Sequence, residues 1–163
     1  MRDWLVGGGL VTGPEGVLLV QNRRRDGRLD WSPPGGVIDP GETLIGGLTR
    51  EVEEETGLRV TGWAGPTYEI VAEAPDMGWR LRVEAHRSTG HEGDVAVEDP
   101  DGIVVAAAFV GPAECRARLA GAPRWVGEPV CDWLAAPWDG TRSYAYRVEG
   151  TLAAGTVAVH RLP

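Results

Sequence analysis

GVIDPGETLIGGLTREVEEETGL, Gly36 to Leu58, sets four glutamates, Glu51, Glu53, Glu54 and Glu55, within five residues and leaves Arg50 as their only immediate counter-charge. If residues 43 to 56 are helical, Glu51 and Glu55 are i,i+4 neighbours and Glu54 lies one turn from Glu51, so three carboxylates share one arc. Like charges about 5 Å apart repel by roughly 1 kcal/mol in water and several times that at an effective dielectric near 20. A hard divalent cation removes the repulsion, because Mg²⁺ is bound by carboxylate oxygens together with waters and substrate phosphates. The stretch therefore predicts a metal site on a helix rather than an ordinary solvated face.

The punctuation around the acids places that helix. Pro33-Pro34-Gly35-Gly36 and Asp39-Pro40-Gly41 mark abrupt reversals, with proline fixing φ and glycine free to take positive φ. Thr43 is the expected N-cap, Leu44, Leu48 and Val52 form the buried stripe, and Gly57 before Leu58 is a left-handed stop. Gly46-Gly47 breaks the pattern, each glycine costing about 1 kcal/mol of helix propensity against alanine. The pair predicts either a closely approaching backbone or a soft helix start.

The spacing Gly36, five residues, Glu42, seven residues, then Arg50 to Leu58 without a gap resembles the Nudix box. The resemblance implies an α/β fold of the Nudix type, a mixed β-sheet sandwiched between helices, with residues 1–163 forming a single Nudix hydrolase domain. It implies Mg²⁺-dependent hydrolysis of a pyrophosphate bond in a nucleoside diphosphate linked to another moiety, with Mn²⁺ as a substitute cation. Glu51, Glu54 and Glu55 are then the inner metal ligands or, for one of them, the general base, and the carbonyl of Gly35 is a further ligand. Arg50 orients the carboxylates by salt bridge, and Glu42 supports the loop or the helix. Arg23 and Arg24, leaving the strand before the box in a basic loop, match the position that grips substrate phosphate, a task suited to a guanidinium fork. Trp31 reads as a packing anchor. Relatives often carry another carboxylate where this chain has Ala106-Ala107-Ala108, so an extra ligand would come from Glu84, Glu98, Asp99 or Asp101. The substrate stays open among a nucleoside triphosphate, ADP-ribose, a nucleotide sugar and a dinucleoside polyphosphate. The alternative is a Nudix-fold regulator that binds a nucleotide without turning it over, against which the intact glutamates argue. Isomerase chemistry would want a cysteine in a recognisable setting, which neither Cys115 nor Cys131 provides.

Composition agrees with a single core: 163 residues, 42% hydrophobic and with seven tryptophans, suffice to fill one domain. A net charge of -8 and a pI near 4.9 argue against a nucleic-acid or anionic-membrane footprint and leave a small-molecule nucleotide as the expected partner. There is no run of 18 apolar residues, and Met1-Arg2-Asp3 leads into a glycine-broken strand rather than a signal peptide, so the expected location is cytoplasmic. Cys115 and Cys131 lack metal spacing and are expected reduced. His86, His91 and His160 are scattered and read as surface or packing residues.

Outward from the box, residues 4–12 and 17–22 are apolar runs about the turn Gly13 to Gly16 and read as an antiparallel pair. Segments 59–64, 67–73 and 79–87 read as strands, with a turn at Pro75 to Gly78. Residues 88–102 read as a mobile loop and the expected source of specificity, followed by a strand from Ile103 to Val110. Residues 112–120 and 128–135 read as helices capping the opposite sheet face, with Leu119, Trp133 and Leu134 as core contacts. Residues 143–149 and 156–161 alternate as a C-terminal hairpin, a candidate homodimer edge.

Overall fold

The computed structural model describes residues 1–163. The helix at its centre, α1 (Leu44–Thr56), is bounded as its residues dictate. Thr43 Oγ1 accepts from the Gly46 N–H at 3.0 Å, and Gly57, at φ 79°, turns its own N–H back to the Glu53 carbonyl. Leu48 and Val52 are fully buried, whereas Leu44 is only half-buried. At Gly46-Gly47 the close neighbours are side chains, not backbone. A Cβ on Gly47 would lie 2.9 Å from Ile38 Cδ1 and 3.3 Å from Glu42 Oε1, and one on Gly46 would lie 2.8 Å from the capping Thr43 Oγ1.

Two sheets flank one another. The first has six strands in the order β10 (Thr156–Leu162), β9 (Arg142–Thr151), β6 (Arg59–Ala74), β7 (Trp79–Glu92), β1 (Arg2–Leu10), β5 (Gly35–Val37). It is mixed: β1 runs parallel to β7 and antiparallel to β5. The second joins β2 (Thr12–Gly13), β3 (Gly16–Arg23) and β4 (Leu29–Ser32), with β8 (Val104–Val110) on the other side of β3. Helices α2 (Pro112–Leu119) and α3 (Arg124–Ala135) complete the fold.

Strand alternation divides the interior between two clusters. Val11 and Leu18 join Leu48, Val52, Leu58 and Val60 under α1, while Leu10, Val17 and Leu19 turn the other way to Tyr68, Ile70, Cys115, Leu119 and Trp133 under α2 and α3. The sheets thus lie between helices, as the Nudix resemblance implied. No helix is long and apolar enough to cross a membrane.

Four expectations need correcting. Residues 4–10 do not pair with 17–22: only Thr12 and Gly13 pair with β3, because the chain changes sheet at Val11. Gly7 and Gly9 let β1 pass directly beneath α1, since a Cβ on Gly7 would stand 3.3 Å from Leu48 and one on Gly9 3.3 Å from Val52. Second, 59–64 and 67–73 are one strand, β6, in which register shifts between Ala64 and Tyr68 absorb Pro66. Third, β7 runs on to Glu92, so the irregular segment before β8 is shorter than read. Fourth, α3 begins at Arg124 and carries Pro129 inside it rather than at its start.

Truncating Leu48 to alanine removes a fully buried side chain and should cost about 2–5 kcal/mol, lowering the melting temperature by roughly 5–15 °C in a thermal melt. Gly35→Ala should be worse. At φ 148° its Cβ would stand 2.0 Å from the Gly7 carbonyl oxygen, so β5 could not pair with β1 and little folded protein should be recovered.

Candidate active site

A cavity of about 550 Å³ opens beside α1. Glu51 and Glu55 project into it from the helix, Asp99 and Asp101 from the segment before β8, and the backbone of Gly35 and Gly36 forms the wall between. Another part of the wall is apolar, with Tyr68, Ile70, Leu81, Val83, Trp125 and Val126. Arg24 is the one cationic side chain lining the space, against four carboxylates.

The acids of α1 are divided between two environments. Arg50 makes a two-pronged contact with Glu42, Nε to Oε2 and Nη2 to Oε1, both 2.9 Å, and its Nη1 reaches Glu51 Oε1 and Glu54 Oε2, each at 3.2 Å. Glu42 also accepts from the Asp39 N–H at 3.1 Å, so the loop entering the helix is tied to the helix middle. Hydrogen bonding to Glu42 raises the Arg50 pKa, and the same bond holds Glu42 below the ordinary carboxylate range. Glu54 turns to Arg50 and does not line the cavity, and Glu53 is exposed. The shared arc of three carboxylates is thus two in the cavity and one at its side.

Glu55 has no such partner. Burial first and the Glu51 charge second push its pKa up to about 8, against a hydrogen bond from the Gly35 backbone that opposes the shift. Glu51 is raised too, by burial ahead of the repulsion from Glu54 and Asp101, with Arg50 working the other way. Desolvation, more than like charge, is the leading cause in both. Gly36 matters sterically here, since a Cβ on it would lie 2.8 Å from the Glu51 carboxylate carbon.

Elsewhere the structure separates the remaining candidates. Arg24 lines the cavity and pairs with Asp30, Nε to Oδ2 at 2.7 Å and Nη2 to Oδ1 at 2.8 Å, while Arg23 is exposed and outside the lining. Burial pulls the Asp30 pKa up, but the contacts with Arg24 and Asn22 outweigh it and the carboxyl ends below its usual value. Asp99 accepts the N–H groups of Asp101, Ile103 and Val104, so it shapes its own loop, whereas Asp101 is exposed at the cavity. Glu84 points to the other face of β7, where it meets His86 at 3.3 Å, and Glu98 is off the cavity. Trp31 packs against the core under the Arg118 guanidinium, 4.3 Å from its ring. Asn22 and Ser32 also line the cavity, and no motif in the sequence marked them.

No three acidic, histidine or cysteine side chains converge tightly enough to surround an ion by themselves. Mg²⁺ does not require that, since it is commonly held by one or two carboxylates, with waters and substrate phosphates completing its octahedron. The side chains facing the cavity that could ligate a metal offer oxygens, and the uncompensated charge is negative, which fits a hard divalent cation.

The family model of the NUDIX domain matches residues 5–126. The chain belongs to the Nudix family. It is 50% identical over 74 residues to the human 8-oxo-dGDP phosphatase NUDT18, a match covering 45% of this chain and 22% of that protein. It is 32% identical over 105 residues to an RNA pyrophosphohydrolase of Rhizobium meliloti, covering 52% of this chain and 59% of that one. The chain therefore spans less than two thirds of the length of these relatives. Among solved structures, the E. coli ORF135 protein superposes with a TM-score of 0.68 at 21% identity, over 85% of this chain and 96% of that one. At that identity the likeness shows the Nudix fold.

The raised pKa of Glu55 fixes a stability profile for the metal-free protein. A carboxyl whose folded pKa lies above its unfolded value binds more protons when folded, so its destabilising effect is absent below about pH 4.5 and complete above about pH 8. Wild type in chelator should lose melting temperature across this window, and Glu55→Gln should lose measurably less. Parallel curves for the two proteins would contradict the burial-driven shift.

Proposed function

We propose that this chain hydrolyses a pyrophosphate bond in a nucleoside diphosphate linked to another moiety, with Mg²⁺ as the working cation and Mn²⁺ as a substitute. The observation that carries the reading is the pairing of Glu51 and Glu55 in a cavity whose other charged walls are Asp99, Asp101 and a single arginine. The likeness to an 8-oxo-dGDP phosphatase and to an RNA pyrophosphohydrolase supports a phosphoanhydride substrate.

Glu51 and Glu55 would hold the cation, with the Gly35 carbonyl and Asp101 lining the same cavity as further donors and Glu54 at its side. Bound there, the metal would offset charge on the phosphates and lower the pKa of a water that attacks phosphorus. The chain's own contribution is placement. Arg50 holds Glu51 and Glu54 at fixed distances through contacts that consume its fork, so its guanidinium orients carboxylates rather than substrate. Gly36 leaves room for the Glu51 carboxylate. Glu55, buried and disposed to keep its proton in the metal-free protein, would have to release it to hold a cation, and whichever of Glu51, Glu54 and Glu55 is left off the metal would be the carboxylate to accept a proton from the attacking water. Arg24 uses Nε and Nη2 on Asp30, which leaves Nη1 free for a phosphate oxygen.

The test is a panel of nucleoside triphosphates, ADP-ribose, nucleotide sugars and dinucleoside polyphosphates incubated with Mg²⁺, read by phosphate release with and without added phosphatase. Turnover should vanish in excess chelator, and Glu51→Gln or Glu55→Gln should lower kcat by roughly a hundredfold or more with the fold intact. Arg24→Ala should raise KM more than it lowers kcat, while Arg23→Ala changes KM little. Undiminished turnover in chelator, or in both glutamate variants, would end the proposal.

A further inference from the structure

Asn22, on β3, is 93% buried yet lines the cavity, and its amide is held one way round. Its Nδ2 donates to Asp30 Oδ1 at 3.2 Å and to Ser32 Oγ at 2.9 Å. Asp30 is itself gripped by the Arg24 fork, so it stands as an ionised carboxylate, which can only accept. The Asn22 atom facing Asp30 must therefore be nitrogen, and flipping the amide would set oxygen against oxygen. Both amide hydrogens are spent in this way. Asn22 Oδ1 accepts no hydrogen bond from the protein, and since no sealed side-chain polar atom of the chain lacks a partner, this oxygen stays open to solvent on a residue that lines the cavity. Beside it, Ser32 Oγ receives a hydrogen from Asn22 and keeps its own proton for another acceptor.

From this lock we infer that Asn22 is a specificity residue, presenting a fixed hydrogen-bond acceptor that selects a substrate whose non-phosphate moiety offers a donor there, a base N–H or a ribose hydroxyl. The inference rests on the nucleotide reading above. A free asparagine discriminates weakly, since rotating its amide exchanges donor for acceptor. This one cannot rotate without breaking the contact to Asp30, so a ligand bringing an acceptor leaves two lone pairs opposed and a ligand bringing a C–H leaves Oδ1 dry. A polar group left unpaired in this way is what lets a site reject an analogue that merely lacks one N–H or O–H. The lock spans β3 and β4, whose register places Asn22 directly opposite Asp30.

The experiment measures binding by calorimetry with adenosine and guanosine 5′-diphosphates, their 2′- and 3′-deoxy forms, the forms lacking the exocyclic amine and 1-methylguanosine diphosphate, in the wild type and in Asn22→Leu. Asn22→Ser, whose hydroxyl can still donate to Asp30, replaces the leucine variant if that one does not fold. In the wild type, one deletion should weaken binding about tenfold or more, and which one tells base from ribose. In either variant that ratio should collapse toward one. Each ratio is internal to one protein, so a general loss of stability or of phosphate affinity cancels. Wild-type binding indifferent to every deletion, or discrimination retained in the variants, overturns the assignment. Turnover is measured separately on the corresponding triphosphates: Asn22-dependent discrimination without turnover would overturn hydrolysis and leave Asn22 standing, and turnover with unchanged discrimination in the variants would do the reverse. No binding of any probe would overturn the Asn22 assignment, while hydrolysis is decided by the substrate panel above.

Discussion

The guanidinium of Arg50 is the tie on which the candidate site depends. It meets Glu42, Glu51 and Glu54 at 2.9–3.2 Å and approaches Asp39 at 3.7 Å, so one side chain joins the loop that enters α1 to the middle of that helix. Exposed ion pairs singly contribute little, but here one fork serves several acceptors, and it is geometry more than energy that it supplies. Because Arg50 is shared among acids on its own helix and in the loop before it, Glu55 on the buried side receives none of it. Of the three carboxylates that share the arc, Glu51 and Glu54 are thereby compensated and Glu55 is not, and Glu55 is the one most hidden from water.

What could be read from the sequence was what is decided locally. The Thr43 cap, the Leu48 and Val52 stripe and the Gly57 stop depend on residues within a turn or two of one another, and the structure repeats them. Glu51 and Glu55 sharing one side of α1 follows from helical spacing alone. Glu54 was placed with them by the same spacing, yet its carboxylate is turned toward Arg50, because a side chain's direction is settled by its partner as well as by its position on the helix. Strand pairing was the poorest guide. Residues 4–12 and 17–22 flank an obvious turn, but Leu10 and Val11 serve different cores, and only the tip of that hairpin survives. The Asn22 lock was invisible for a related reason. An asparagine at the end of an apolar strand, an aspartate just past the basic loop and a serine before two prolines become a unit only once β3 and β4 pair in register.

The two parts of the cavity wall therefore answer to different constraints. The acidic part is set by α1 and its entry loop, a segment short enough to carry its geometry in its own sequence. The apolar part is set at long range. Trp125 and Val126 begin α3, whose body lies beyond residue 126, where the match to the family ends, and α3 is anchored by Tyr144 to Asp132 at 3.0 Å and Tyr146 to Glu128 at 2.9 Å from the C-terminal strand β9. Those anchors touch no acid of the site. Substitutions along β9 and α3 can thus reshape the apolar wall while leaving Glu51, Glu55 and Arg50 where they are, so the two parts of the cavity can change independently of one another.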